Sequence, residues 1–325
     1  MKKIISVFES AIVLFLVSCA TSIPVTLTKP ALVDLSGVQK ISVLPFGYAN
    51  EGVKGDYLSS ALYRSSTAYR YRSTYEQTVA TTLTNTMNSI LLESKEYTVV
   101  SASELSRLAS SSGDYTTVAD AILSGEITFL VTNNTDGYED IKGSDGVVRP
   151  TYFLNREVTL EFTYRFIRTS DGSIIDQIVH QGRASDKKYG DKAYSTITSE
   201  IELARSIIAD MQPRIRKEIA PWKTTEYRSL EADKTKDPRM EEADKLVKDG
   251  QYVQALAVFS DVYSKTGNFA AGFNAAIMTE ILGDLEKAIV MMQALADSTA
   301  NPHAVSELER MQQTLADRER LEASK

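Results

Sequence analysis

Cys19 is the only cysteine among the 325 residues, and its surroundings suggest a specific chemistry. A basic start over residues 1–3 and an apolar run over residues 11–17 precede it. A thiol is the nucleophile that can take a diacylglycerol group as a thioether, and small residues before it suit cleavage by a signal peptidase. The pattern predicts a signal peptide over residues 1–18, followed by a lipid-attachment site at Cys19.

The sequence Leu16-Val17-Ser18-Cys19 resembles the lipobox of bacterial lipoproteins, in which Ser18 is an accepted small residue. The resemblance implies a mature chain that begins at a lipidated Cys19, outside the cytoplasm. Ala20, in place of an aspartate, implies by the same resemblance sorting to the outer membrane, facing the periplasm. Two alternatives stay open. One is a buried thiol on a first helix. The other is a transmembrane anchor, although Glu9 interrupts the run and a span needs ~20 apolar residues.

Two pairs of side chains elsewhere are candidates for acid–base chemistry. His180 and Asp176 fall on one face of a predicted strand, which would suit a general acid–base pair. Glu126 and Glu161 fall on neighbouring strands and would suit paired carboxylates for glycoside hydrolysis. Such groups are more often structural or solvent-facing, and no nucleophile or phosphate loop lies beside them in the sequence. We therefore expect no enzymatic activity and no cofactor, with a cell-envelope hydrolase as an alternative.

Composition argues against two further classes of function. The net charge of −7 disfavours general nucleic-acid binding, which depends on dense lysine and arginine. The only two histidines, His180 and His303, are far apart in sequence and no second cysteine is present, so we expect no transition-metal site.

The elements that would position these groups follow from hydrophobic periodicity over residues 39–220. Alternation predicts a long strand over residues 158–167, with a return strand over 173–180 after the Asp171-Gly172 turn. Helical spacing predicts helices over about 73–95 and 194–220, the first capped by Ser73 and the second kinked by Pro213. Shorter strands are predicted at residues 40–46, 97–100 and 122–131, with a short capped helix from Ser101. The fold predicted for this region is a mixed sheet flanked by helices.

Four segments lack such periodicity. Residues 19–38 are predicted to be an extended lipidated tether, and residues 221–238 a charged linker. Residues 47–72, rich in tyrosine and arginine, and residues 133–150, with two Asp-Gly pairs, are predicted to be surface loops.

The C-terminal region, residues 239–325, contains a repeat with a period of 33 residues. It resembles the turn and second helix of tetratricopeptide repeats, in which glycine allows the turn, alanine allows close helix approach, and larger side chains fill the space between helices. The matching positions are Gly250, Tyr252, Ala255 and Phe259, then Gly283, Leu285, Ala288 and Met292.

Short motifs in the same order over residues 39–220 resemble the periplasmic domain of the curli-secretion lipoprotein family (CsgG-like) and of lipoproteins that activate penicillin-binding proteins. They are Val43–Phe46, Ala119-Asp120, Gly125–Ile127 and Thr169–Gly172. The whole layout is also similar to lipoproteins of Bacteroidetes-type bacteria. In the pore-forming branch, strands of alternating apolar residues enter the membrane. The corresponding segments here, residues 133–150 and 184–195, are polar and charged.

Together these observations predict an α+β chain that consists of a CsgG-like α/β domain followed by an all-α tetratricopeptide-like domain. The predicted function is a membrane-anchored periplasmic lipoprotein that acts as a protein-binding scaffold or as an assembly or regulatory factor. Its predicted partners are the membrane, through lipid on Cys19, and envelope proteins, through the helical repeats. Nucleic acid is not expected, and homo-oligomerisation stays open. The alternatives are a subunit of a curli-type outer-membrane secretion channel and the hydrolase named above.

Overall fold

The computed structural model describes residues 22–48, 58–59, 61–62, 73–112 and 115–323. Cys19, the predicted signal peptide and most of the loop over residues 47–72 lie outside them. The chain divides into two compact units. The sheet unit contains Thr28–Thr224 and the end of the last helix from Asp317, and the helical unit contains residues 22–27 and Thr225–Ala316. The predicted α+β class is confirmed.

Six strands form one mixed sheet, in which the order is β4-β2-β5-β6-β7 and β3 pairs with β5. Pairs β2–β4, β2–β5 and β3–β5 are parallel, whereas β5–β6 and β6–β7 are antiparallel. Strands β1 and β8 pair as a separate two-stranded sheet. The strands are β1 (Ser22–Lys29), β2 (Lys40–Val43), β3 (Gly47–Tyr48), β4 (Thr98–Val100), β5 (Ala121–Lys142), β6 (Val148–Arg168), β7 (Ile174–Tyr189) and β8 (Trp222–Ser229).

The helices of the described residues are α1 (Thr74–Ser94), α2 (Ala102–Ser112), α3 (Ala193–Thr196), α4 (Glu200–Ile219), α5 (Pro238–Lys248), α6 (Tyr252–Thr266), α7 (Phe269–Ile281), α8 (Leu285–Thr299) and α9 (Pro302–Ala323). No helix in this part of the chain is long and apolar enough to cross a membrane.

The core of the sheet unit lies where the alternation of β6 predicts it. The predicted apolar face of β6 packs with α1 and α4 in one buried cluster, and its members are Val158, Leu160, Phe162, Tyr164 and Phe166. A smaller cluster on the other face joins Leu44, Ile122 and Ile167 to Leu105 of α2. Because successive strand residues point to opposite faces, a strand between two apolar clusters carries apolar residues at both parities.

Side-chain caps set the starts of the helices. The Ser73 hydroxyl accepts a hydrogen bond from the Glu76 amide at 3.2 Å, as the sequence predicts. Ser199 and Glu202 form a reciprocal capping box at the start of α4. The helix predicted over residues 194–220 is therefore interrupted before Ser199, and Ala193–Thr196 is a separate short turn of helix. Pro213 lies inside α4, which continues to Ile219.

The predicted polar loop over residues 133–150 is wrong. Strand β5 continues to Lys142 and pairs in register with β6 from Val148, so the two strands form one long hairpin. Its turn lies at Asp145-Gly146, where Gly146 has φ +79°. Asp136-Gly137, predicted as a turn, lies within β5, and Gly137 pairs with Phe153. Polar side chains here occupy both faces, so alternation of hydrophobicity does not reveal the strands.

The predicted tether and linker are also wrong in part, because residues 22–29 and 222–229 are the paired strands β1 and β8. The remainder of the tether is not free chain either, since Val33 and Val38 are buried in the sheet unit's core. The remainder of the linker ends at Asp237, whose carboxylate accepts a hydrogen bond from the Arg239 amide at 3.0 Å and caps α5.

In the helical unit, one glycine turn joins α5 to α6 and another joins α7 to α8. Gly250 follows α5 with φ +73° and Gly283 follows α7 with φ +101°. A residue with a Cβ is strained at such φ values, which explains glycine at both turns. The core between the helices contains Ala255, Phe259, Leu285, Ala288 and Met292, with Tyr252 partly buried against it.

Candidate functional site

Helix α7 is buried along most of its length, and this makes it unlike a surface helix. Every residue from Ala270 to Glu280 is buried, including the polar residues Asn274 and Glu280. Buried polar groups are costly unless they are hydrogen-bonded, so their partners identify what covers the helix. Part of that cover is chain that precedes α5. We call residues 226–235 the held segment.

The backbone of the held segment is bound by one asparagine of α7. The Glu231 amide donates to Asn274 Oδ1 at 2.7 Å, and Asn274 Nδ2 donates to the Glu231 carbonyl at 3.0 Å. The side-chain amide thus satisfies both polar groups of a single residue of extended chain. These two bonds involve no side chain of the held segment, so they do not depend on its sequence.

Arg228 of the held segment contacts α7 through its guanidinium group. Its Nε donates to Glu280 Oε1 at 3.0 Å, and its Nη1 donates to Glu226 Oε2 at 3.1 Å. Arg310 of α9 donates from Nη1 to Glu280 at 2.9 Å and, from Nε, to Glu307 at 2.8 Å. Arg228 is 2% exposed, and its Nη2 has no hydrogen-bond partner. The Glu280 carboxylate is therefore the shared acceptor for two arginines, one of them fully buried.

The charge of Arg310 is stabilised by its carboxylate partners. Burial disfavours the charged guanidinium, but hydrogen bonds and attraction from Glu280 and Glu307 outweigh burial and raise the pKa of Arg310 above its usual value. The Arg310 guanidinium is thus held in its charged form.

Two more contacts bind side chains of the held segment. His303 of α9 lies with Nδ1 3.0 Å from Glu231 Oε2, and Asn268 Nδ2 donates to Asp233 Oδ1 at 2.8 Å. Burial disfavours ionisation of Asp233, but the hydrogen bonds from Asn268 and from the Thr235 and Asp237 amides outweigh it and lower the pKa of Asp233 to about 2. We call the surface formed by Asn268, Asn274, Glu280, His303 and Arg310 the α7–α9 groove.

Neither this groove nor the held segment was predicted from the sequence. In β8 and just beyond, Glu226, Arg228 and Leu230 are more buried than their neighbours Tyr227 and Ser229. This is strand periodicity, but two of its three inward residues are charged. A hydrophobic pattern search therefore finds no strand, and an alternation of any kind across residues 222–230 is the signal that would have revealed one.

The candidate acid–base pair of His180 and Asp176 is not formed. Residues four apart on a strand are separated by about 13 Å, too far for a hydrogen bond. His180 instead lies with Nε2 2.8 Å from Glu218 Oε2 and stacks between Phe162 and Tyr164. At 2% exposure, His180 is part of the core of the sheet unit.

Glu218 is the centre of that buried cluster. It accepts hydrogen bonds from the Tyr164 hydroxyl at 2.7 Å and from Arg214 Nε at 2.9 Å, in addition to the His180 contact. Burial alone would raise the pKa of Glu218, but the bonds from His180, Tyr164 and Arg214 lower it. Burial and the Glu218 charge in turn raise the pKa of Tyr164. The cluster joins α4 to β6 and β7.

The candidate carboxylate pair, Glu126 and Glu161, is also not formed. Glu126 lies 2.7 Å from Arg165 in an ion pair, and Glu161 accepts a hydrogen bond from the Thr128 hydroxyl at 2.6 Å. Each carboxylate has a partner of its own on the sheet. Within the described residues, no cluster of three or more His, Cys, Asp or Glu side chains could hold a metal ion.

An open cleft of about 720 Å³ lies in the sheet unit, where the end of α4 meets the start of β8. Two of its cations are already engaged. Arg216 pairs with Glu93, and Lys217 Nζ lies 4.4 Å from the centre of the Trp222 ring. The α7–α9 groove, where Asn268, Asn274, Glu280 and His303 all contact one extended segment, is the better defined site.

No family model matches this chain. No curated protein matches it either. Solved structures that resemble it include the PelC dodecamer from Paraburkholderia phytofirmans, at 15% identity over 59% of this chain and 97% of that chain, with a TM-score of 0.24. Lipoprotein GNA1162 from Neisseria meningitidis is similar at 13% identity over 55% of this chain and 97% of that chain, with a TM-score of 0.24. TM-scores at this level establish no shared fold, so the comparisons assign no family.

Proposed function

We propose that this chain is a lipoprotein of the cell envelope that binds other envelope proteins as a scaffold or assembly factor. In this proposal, lipid on Cys19 anchors it to the outer membrane, facing the periplasm, and the helical unit recruits the partner. The sequence around Cys19 supports the anchor. Anchoring raises the local concentration of the helical unit near the membrane, which strengthens weak contacts there.

One observation carries the proposal of protein binding. The α7–α9 groove holds an extended stretch of polypeptide through a paired backbone contact at Asn274 and an arginine at Glu280. Helix surfaces that satisfy the backbone of an extended chain and bury one of its side chains have the chemistry of peptide recognition. The cluster at Glu218, by contrast, is buried within the sheet unit and has the chemistry of core stabilisation.

The recruiting role is tested by photo-crosslinking in cells with the full-length protein. A photoreactive residue is introduced at Val290 or Val253 in the helical unit, which are 69% and 64% exposed, and at Tyr194 in the sheet unit, 72% exposed, as a matched control. We expect a discrete protein adduct from the helical positions that differs from the pattern at Tyr194. The same pattern at all three positions, or no adduct at Val290 and Val253, would show that the helical unit is not the recruiting surface.

The anchor is tested by Cys19→Ala, with Ser18→Ala as the control because alanine is also accepted before a lipidated cysteine. We expect Cys19→Ala to lose incorporation of labelled fatty acid and to leave the membrane fraction, while Ser18→Ala retains both. Unchanged labelling of the Cys19→Ala protein would show that no lipid is attached at this position.

A further inference from the structure

We propose that the held segment is an internal occupant of the α7–α9 groove, and that the external partner is an extended protein segment which replaces it. The partner segment carries an arginine followed two residues later by an apolar residue. This inference rests on the proposed function and specifies the partner chemistry of the same site.

The contacts between the held segment and α7 follow one another in order along both. Along the held segment, Arg228, Glu231 and Asp233 contact Glu280, Asn274 and Asn268 of α7, in that order. The chain therefore runs antiparallel to the helix. Between the first two contacts, three residues of extended chain advance about 10 Å and six residues of helix advance about 9 Å. Between the second and third contacts, two residues of chain advance about 7 Å against about 9 Å for six residues of helix. The interval from Arg228 to Glu231 thus fits an extended segment of any origin.

The side chains of the groove select an arginine. Glu280 is 6% exposed and already accepts a hydrogen bond from Arg310. A second cation must therefore lose its water and donate a hydrogen bond in the plane of the carboxylate. A guanidinium meets that requirement better than an ammonium, because it is more weakly hydrated and its donors form a rigid fork. Two residues later, Leu230 is buried in the apolar core of the helical unit. These two positions define the arginine–apolar spacing.

The internal occupant does not satisfy the site completely. Arg228 Nη2 is buried without a hydrogen-bond partner, although a buried unpaired donor of a charged group is costly. The held segment begins within β8 and is followed by α5 at Pro238, so it is covalently fixed at both ends. A separate peptide has no such constraint and can bring an acceptor to this donor position. The held segment is therefore a replaceable occupant of the groove.

Fluorescence anisotropy tests the replacement with purified full-length protein. The probe is a labelled peptide with the sequence of residues 226–235, and the control probe has methionine in place of its arginine. We expect Arg228→Met to bind the arginine peptide about tenfold more tightly than the wild type does, because one charge-assisted hydrogen bond of the internal competitor is lost. The methionine peptide is expected to bind at least about tenfold more weakly to this variant. Adding Asn274→Ala is expected to weaken binding of both peptides.

Equal binding of the two peptides, or equal binding by wild type and Arg228→Met, would overturn the proposal. If Arg228→Met does not fold, amide hydrogen exchange of the wild type decides. The Glu231 amide, which Asn274 protects, should exchange faster with excess arginine peptide than with excess methionine peptide, and identical rates would overturn the proposal. If the peptide tests fail but the photo-crosslinks at Val290 are still formed in cells, the proposed function stands and the partner binds another surface. If the arginine peptide binds but no photo-crosslinks form in cells, the proposed function is refuted and the binding groove is not.

Discussion

Replacing Glu280 with glutamine is expected to destabilise the helical unit more than any other single loss of charge in the α7–α9 groove. The carboxylate is the acceptor for Arg228 Nε and for both terminal nitrogens of Arg310. Glutamine keeps the shape but removes the charge, and Arg228, at 2% exposure, cannot reach water instead.

The magnitude follows from the burial of the charge. Breaking a buried ion pair by removing one partner costs about 3–5 kcal/mol. Arg228 keeps its contact with Glu226, so we expect the lower end, about 3 kcal/mol. Glu307→Gln is the matched control. The Glu307 side chain is 20% exposed, and its substitution leaves the Arg228–Glu280 contact in place. Loss of the Glu307 charge should therefore lower the free energy of unfolding by no more than about 1 kcal/mol.

Urea unfolding followed by circular dichroism at the helix band measures both variants. With a slope of about 2 kcal/mol per molar urea, Glu280→Gln should lower the midpoint by about 1.5 M. The double variant Arg228→Met with Glu280→Gln should recover much of the loss, because it removes the unpaired charge as well. Equal midpoints for Glu280→Gln and Glu307→Gln, or no recovery in the double variant, would refute the reasoning.

Three further predictions concern packing and pH. Gly125→Ala would place a Cβ 2.1 Å from the Phe46 ring and should lower the free energy of unfolding by about 1–3 kcal/mol in urea titrations. The Asp233 carboxyl, with a pKa lowered from 3.8 to about 2, stabilises the fold above pH 3.8, and this contribution is lost as pH falls towards 2. Asp233→Asn should therefore lessen the loss of stability over that interval in acid titrations of circular dichroism. Glu218, whose pKa is lowered from 4.5, contributes in the same direction, so Glu218→Gln should lower stability at neutral pH and flatten its decline below pH 4.5.

Each has a control within the chain. Gly137→Ala lies on the same strand as Gly125, but its Cβ would meet the Phe153 ring at 3.2 Å, so its effect should be smaller. An equal effect of the two substitutions would contradict the packing argument. The pKa of Asp145 is also lowered, by hydrogen bonds from Arg149 and the Val147 amide, but solvent screens this exposed hairpin turn, so Asp145→Asn should change acid stability less. Acid curves of Asp233→Asn or Glu218→Gln that run parallel to the wild type would contradict the proposed linkage.

Elements with a strong apolar period could be predicted from the sequence, and elements held by polar pairing could not. The buried faces of β6 and of α1, with the Ser73 cap, lie as expected because one apolar stripe with a side-chain cap has few alternatives. The hairpin beyond residue 132 and strands β1 and β8 were missed. The hairpin strands carry polar side chains on both faces, and β1 and β8 each pair with a strand distant in sequence, so local hydrophobic periodicity encodes neither.

The helical unit that contains the candidate site also has features that the sequence predicts and features that it does not. The turns at Gly250 and Gly283 could be predicted because a turn with positive φ demands glycine locally. Nothing local indicates that Asn274 binds the backbone of Glu231, 43 residues earlier, or that Arg228 binds Glu280. His180 shows the converse. Its type suggested chemistry with Asp176, whereas the fold pairs it with Glu218 of another element.

Residue type and spacing over one or two turns of chain were enough to predict the α+β class, the principal buried faces and the glycine turns. The lipid site at Cys19 and the repeat family stay predictions from the same local patterns. Which polar groups meet follows from the three-dimensional fold alone. A buried charge or amide is stable only beside a complementary group, and chain folding brings that group from a distant part of the sequence. The held segment and its groove are the result.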